Sequence, residues 1–164
     1  MFDRFQWWHA VLIFAAANAL SALPAGLGGD ADFYDRLRKP PLSPPDWMFP
    51  AVWLVLNVTS LAALWLVANS DGGDGGARTA FYWAEGIGWA TFAAFTTLYF
   101  GLRNLPLAAA DTALGLLAAA ASLWACRRLA PAVGWWPLAL IAPRLAWLLL
   151  ATWVSAATAW LNRG

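Results

Sequence analysis

A chain of 164 residues that is 62% hydrophobic and only 12% charged, with 13 tryptophans, departs from soluble domains, in which about a quarter of residues carry charge. Its medium is the lipid bilayer. A formal net charge of +1, without any Lys/Arg run, argues against nucleic-acid binding, and the single cysteine, Cys126, excludes an internal disulfide and cannot make a thiolate metal site alone.

About 20 apolar residues cross a hydrocarbon core of ~30 Å. Five such segments can be drawn: 7–27, 47–68, 79–102, 105–125 and 135–161. The fold class expected is therefore an all-α membrane protein, one domain over residues 1–164, with a proline-rich structured loop between the first and second of five transmembrane helices. The N-terminal run has a charged start and an apolar core, with Ala-Asn-Ala nearby, so a cleaved signal peptide has to be weighed. Asp3 balances Arg4, and Trp7 and Trp8 suit an interfacial belt, so a retained first helix is the better reading. His9, the single histidine, has two readings: an interfacial polar residue, the commoner case, or an axial ligand to a tetrapyrrole metal.

The stretch from Phe33 to Trp53 organises the rest. Five of the ten prolines fall in it: Pro40, Pro41, Pro44, Pro45 and Pro50. Proline fixes φ and disfavours helix in the residue before it, so Arg38 to Pro45 is expected to be extended and rigid. Ser43 or Asp46 is placed to cap a helix beginning near Trp47, with Pro50 tolerated in its first turn.

That stretch resembles the pattern W-Y-x-x-L-x-K-P-x-W-x-P-P-x-W-x-F-P-x-V-W of the translocator protein family, also called tryptophan-rich sensory proteins (TspO/MBR). Tyr34, Leu37, Lys39, Pro40, Pro44, Pro45, Trp47, Phe49, Pro50, Val52 and Trp53 match in register, while Phe33 and Leu42 stand where the family has tryptophan. The resemblance implies five helices, an extracytoplasmic N-terminus and a cytoplasmic C-terminus in a bacterial inner membrane. It also implies an aromatic cavity, closed by the proline-rich loop, for porphyrins and other flat apolar ligands.

The connections further along are short. Asn69 to Arg78 reads as flexible, Arg103-Asn104 as a tight turn, and Arg127 to Gly134, with Pro131, as a third turn. Lysines and arginines tally five (Arg36, Arg38, Lys39, Arg103, Arg163) against four (Arg4, Arg78, Arg127, Arg128), which leans weakly towards a cytoplasmic C-terminus. Helices in lipid pack through small residues. Three ladders qualify: Gly86, Ala90 and Ala94; Gly115, Ala118, Ala119 and Ser122; and Ala151, Ser155 and Ala159. Most are expected to serve packing within the chain. The family pairs through its third helix, which makes Gly86, Ala90 and Ala94 the implied seam of a homodimer.

Arg144 falls about 15 Å into its helix, near the bilayer centre, where a charge needs a partner. The readings are an ion pair with Asp111 (preferred on depth) or Glu85, an anionic or pigment carboxylate, or a contact with another protein. Tryptophans near helix ends need only the interfacial belt as explanation. Trp47, Trp53, Trp147 and Trp153 are different, Trp147 lying in Pro-Arg-Leu-Ala-Trp, which resembles the family's Pro-Tyr-Leu-x-Trp. On the third helix, Phe92 and Phe95 replace the family's Asn and Trp before the retained Tyr99-Phe100-Gly101; on the fifth, Arg144 replaces a tyrosine, and Ser155 an asparagine after Ala151-Thr152.

The resemblance thus implies a ligand site of Trp47, Trp53, Phe92, Phe95, Arg144, Trp147, Ala151 and Ser155. The lid over it would be Tyr34, Lys39, Pro40, Pro44 and Pro45. The ligand class is a tetrapyrrole (porphyrin, haem or a bacteriochlorophyll precursor) or a carotenoid. No nucleophile elbow, phosphate loop or metal cluster is visible, which points away from catalysis, and the resemblance implies a binding protein that regulates pigment or porphyrin metabolism. The alternative is an accessory subunit of a larger pigment-protein complex in the membrane.

Overall fold

The computed structural model describes residues 4–22 and 30–163. Six α-helices occupy them: α1 (Trp7–Ala22), α2 (Asp30–Asp35), α3 (Met48–Asn69), α4 (Gly75–Thr96), α5 (Leu105–Val133) and α6 (Trp136–Leu161). The described residues contain no strand. Helices α3, α5 and α6 are long and apolar enough to cross a membrane. Residues 23–27, expected to continue the first helix, lie outside the described residues, as do residues 28 and 29 at the start of the loop.

Small residues decide which helices touch. Helix α5 packs most extensively on α6 and α4; α6 also packs on α3, and α4 on α1. Gly115, Ala118, Ala119 and Ser122 are all buried, and a Cβ on Gly115 would come within 3.1 Å of Thr91 Oγ1, so glycine brings α5 against α4. On α6, Ser155 and Ala159 are buried as well. The third ladder differs. Gly86 and Ala90 lie on an exposed face of α4, with open space where a Cβ on Gly86 would stand. Helix α3 touches α1 and α4 only sparingly, which leaves a gap on that side of the bundle.

Two connections depart from expectation. Helix α5 runs eight residues beyond Ala125 to Val133, although Pro131 removes the N–H that would bond the Arg127 carbonyl. One lost bond near a helix end is offset by the packing of Leu129 and Ala130, which are almost fully buried. The helix stops at Gly134, whose φ of +85° is in the region that favours glycine and whose N–H bonds to Ala130 O at 2.8 Å. Helix α4 begins at Gly75, four residues earlier than expected, because Asp74 caps it: its Oδ1 accepts from the N–H groups of Gly76 (2.9 Å) and Ala77 (3.2 Å). The Ala77 N–H, then Arg128, holds the Asp74 carboxyl below its usual range. Arg78 donates to the carbonyls of Val67 and Gly72, tying down the loop read as flexible.

Contacts outside the helices sort into two ends. At one, Arg4 pairs with Asp71, Asn69 Nδ2 donates to Phe5 O, and Arg128 pairs with Asp74. At the other, Asn162 holds Arg38, and Arg103 lies over the Phe33 ring. Each end has its own apolar core. One includes Leu61, Val67, Phe81, Cys126, Leu129 and Ile141; the other is Tyr99, Leu105, Ala108 and Ala159 with Phe33, Tyr34 and Leu37 against them.

Candidate functional site

Residues 36–47 form a non-helical strap across the second end. The expected side-chain cap on α3 is absent, because Met48 and Phe49 N–H bond instead to the carbonyls of Pro45 and Asp46. Asp46 turns away from the helix. Its Oδ1 accepts from Tyr34 Oη at 2.7 Å and lies 3.7 Å from Lys39 Nζ, and that ammonium sits 3.6 Å from the centre of the Tyr34 ring. Burial, with the Asp46 carboxylate beside it, pushes the Tyr34 phenol well above its usual value. Ser43 Oγ, the other capping candidate, donates to Pro40 O within the strap. Asn162, just beyond α6, fastens the strap from below: Oδ1 accepts from Arg38 N and Nδ2 donates to Arg38 O, both at 3.0 Å.

Under this strap lies a cavity of about 740 Å³. Tyr34, Lys39, Ser43 and Asp46 line its mouth from the strap. Its walls are aromatic: Phe49 and Trp53 on α3, Phe92 and Phe95 on α4, and Tyr99 and Phe100 from the wider π turn, Thr97–Gly101, that continues α4. The opposite wall comes from Asp111, Thr112 and Gly115 of α5 and from Leu148, Ala151, Ser155 and Thr158 of α6. Ring contacts lock the aromatic side: Trp53 and Phe92 centroids are 5.1 Å apart, and Phe95 stacks on Tyr99 at 5.3 Å. Ser155 Oγ is buried without a hydrogen-bond partner.

A polar cluster sits beyond the cavity floor. Arg144 on α6 and Glu85 on α4, each 2% exposed, pair with Nη1 to Oε2 at 3.0 Å. Ser60 on α3 donates to Glu85 Oε2 and accepts from Arg144 Nη1 at 3.1 Å, while Ser122 on α5 donates to Oε1 at 2.7 Å. Four helices thus contribute one side chain each. Gly88 makes the room, since a Cβ there would lie 2.5 Å from Arg144 Nη2.

The preference for Asp111 as partner of Arg144 is overturned, and the length of α5 is the reason. With α5 ending at Val133, Asp111 lies about 33 Å from that terminus, whereas Arg144 lies about 12 Å from the adjoining start of α6. Counted from the same end of the bundle, Ser60, Glu85 and Ser122 stand at roughly 14 to 16 Å.

The structure brings Trp53, Phe92, Phe95, Ala151 and Ser155 together around the cavity, with Tyr34 and Lys39 at its mouth. It does not bring Arg144 there. Trp147 stands outside the lining, edge-on to Phe49 at 5.6 Å, and Trp47 and Trp153, 70% and 53% exposed, lie on the outer surface. Pro40, Pro44 and Pro45 shape the strap without lining the space. His9 is at the other end of the bundle, its Nδ1 accepting from Gln6 N at 2.8 Å. Sequence reasoning passed over Asp46 and Asn162 as lid residues. Asp46 looked like a cap, and nothing in a lone asparagine after a helix announces a contact 124 positions away.

The TspO/MBR family model matches residues 10–161. The chain belongs to the TspO/MBR family. It is 33% identical over 118 residues, 72% of each chain, to a tryptophan-rich sensory protein of Cereibacter sphaeroides. As a TspO/MBR protein with three long apolar helices, it is an integral membrane protein of the sensory, ligand-binding kind. The cavity lies between its strap and its buried charge cluster, and among the described residues no three His, Cys, Asp or Glu side chains come together to hold a metal.

Proposed function

We propose that this protein binds a flat, apolar ligand of tetrapyrrole size in the cavity beneath the strap, and acts by binding it rather than by catalysis. One observation carries the reading: a partly open space of about 740 Å³, within the 300–1,000 Å³ typical of small-molecule sites, faced by Trp53, Phe92, Phe95 and Tyr99. Aromatic faces take planar ligands by stacking, at roughly 0.5–1.5 kcal/mol per pair beyond the area buried. Regulation of porphyrin or pigment metabolism is the role in which such a membrane receptor makes sense.

The same reading has α1, α3, α4, α5 and α6 all spanning a bacterial inner membrane, with the strap and the C-terminus on the cytoplasmic side. Contacts at the two ends support the alternation, since Arg4, Asp71, Asp74 and Arg128 meet at one and Arg38 and Asn162 at the other. Gly86 and Ala90, exposed on α4, are the surface on which a second copy would pack.

Protoporphyrin dimethyl ester, which carries no charge, titrated into the purified protein in detergent is expected to quench tryptophan fluorescence saturably. Filling the space with Ala151→Phe is expected to abolish saturation. Quenching that stays linear in the native chain, or is unchanged in Ala151→Phe, would contradict the reading.

A further inference from the structure

The charges around the cavity specify more than its shape. At the mouth, Lys39 and Asp46 face each other and cancel. Arg144, the cation expected to meet a ligand carboxylate, is held by Glu85 outside the lining. Asp111 remains. It stands six residues inside α5, half-buried, facing the cavity, with no hydrogen-bond or ion-pair partner among the described residues.

We propose that the ligand carries a protonated amine or comparable cationic N–H donor, and that Asp111 receives it. This rests on the cavity being the ligand site, as proposed above. A half-buried carboxylate on the wall of a mostly apolar cavity is costly unless a donor meets it, so its environment favours a cation and disfavours a second carboxylate. Two further observations fit a ligand with a donor end. Ser155 Oγ, buried and unpartnered, lines the same space and can accept a hydrogen bond. The bond from Thr152 Oγ1 to Thr112 O brings that stretch of α6 level with Asp111. The rings opposite, Trp53, Phe92 and Phe95, attract positive charge as well as planar carbon.

One porphyrin ring in three charge states provides the test: protoporphyrin with two carboxylates, its neutral dimethyl ester, and its diamide bearing terminal amines. The native protein is expected to bind the amine form tightest and the dicarboxylate weakest. In Asp111→Asn the ratio of amine to ester affinity is expected to fall by tenfold or more, the usual scale for a hydrogen bond to a charged group. Saturable binding of the ester with no preference for the amine, or a ratio unmoved by Asp111→Asn, overturns the assignment of Asp111 and leaves the cavity standing. Failure of all three forms to saturate overturns the cavity with it.

Discussion

The two halves of the bundle use the same materials to opposite ends. In the half away from the strap, small residues on α4 and α5 let those helices close up, and Phe81, Val67, Leu129 and Ile141 fill the interior near the Arg144–Glu85 pair, leaving a smaller recess of about 290 Å³ between α1, α3 and α4. Toward the strap, the aromatic rings of α3, α4 and the π turn face a space of about 740 Å³ that nothing in the described chain fills. A buried ion pair is a poor source of net stability, but it is intolerant of misplacement. Arg144 bonded to Ser60 and Glu85, with Ser122 bonded in turn to Glu85, ties α6, α3, α4 and α5 at one level and fixes their relative rotation, which lets the other half stay open without collapsing.

The largest effect should come from breaking the closed half. Arg144→Leu leaves Glu85 buried without its cation and is expected to destabilise by about 3–5 kcal/mol, measured by denaturant unfolding in detergent micelles. Adding Glu85→Gln should recover part of that loss, whereas adding Asp111→Asn should recover none. Recovery by Asp111→Asn instead would place the pair where the depth estimate first put it.

That estimate shows what the sequence could and could not supply. Composition and segment length made the long apolar helices α3, α5 and α6 legible, because a membrane demands long apolar runs. Of the aromatic positions drawn from the family pattern, Trp53, Phe92 and Phe95 face one space, whereas Trp47, Trp147 and Trp153 stand outside its lining. Helix ends were not. Pro131 looked like a stop, yet the packing of Leu129 and Ala130 outweighs one missing bond, and the resulting eight-residue error in α5 carried over into the choice of partner for Arg144. Likewise, Asp46 satisfied every local criterion for a cap, and only the fold shows that Tyr34 and Lys39 compete for it.

A smaller effect is expected at the strap, where few groups do the holding. Asn162→Ala removes both hydrogen bonds to Arg38 and should cost about 1–2 kcal/mol locally, read as faster amide exchange between residues 38 and 46 and a faster ligand off-rate, with global unfolding little changed. An equal loss of global stability would mean that the strap belongs to the closed half after all.

The smallest is a pH effect. Because the folded Tyr34 phenol titrates above its unfolded value of about 10, its contribution to the strap is fully present below that pH and is lost as the pH rises through the folded value. Strap exchange rates, corrected for intrinsic chemistry, should be flat through neutral pH and rise only in strong alkali, and Tyr34→Phe should remove the rise. A rise near neutrality would assign the switch to another group.

Hydrogen–deuterium exchange across the whole chain, with and without saturating ligand, compares the two halves directly. The account predicts added protection in the strap, the start of α3, residues 91–100 of α4 and its π turn, and the cavity-facing stretches of α5 and α6, with none around Ser60, Glu85, Ser122 and Arg144. Protection centred on Arg144 and its neighbours, with the strap unaffected, would contradict it.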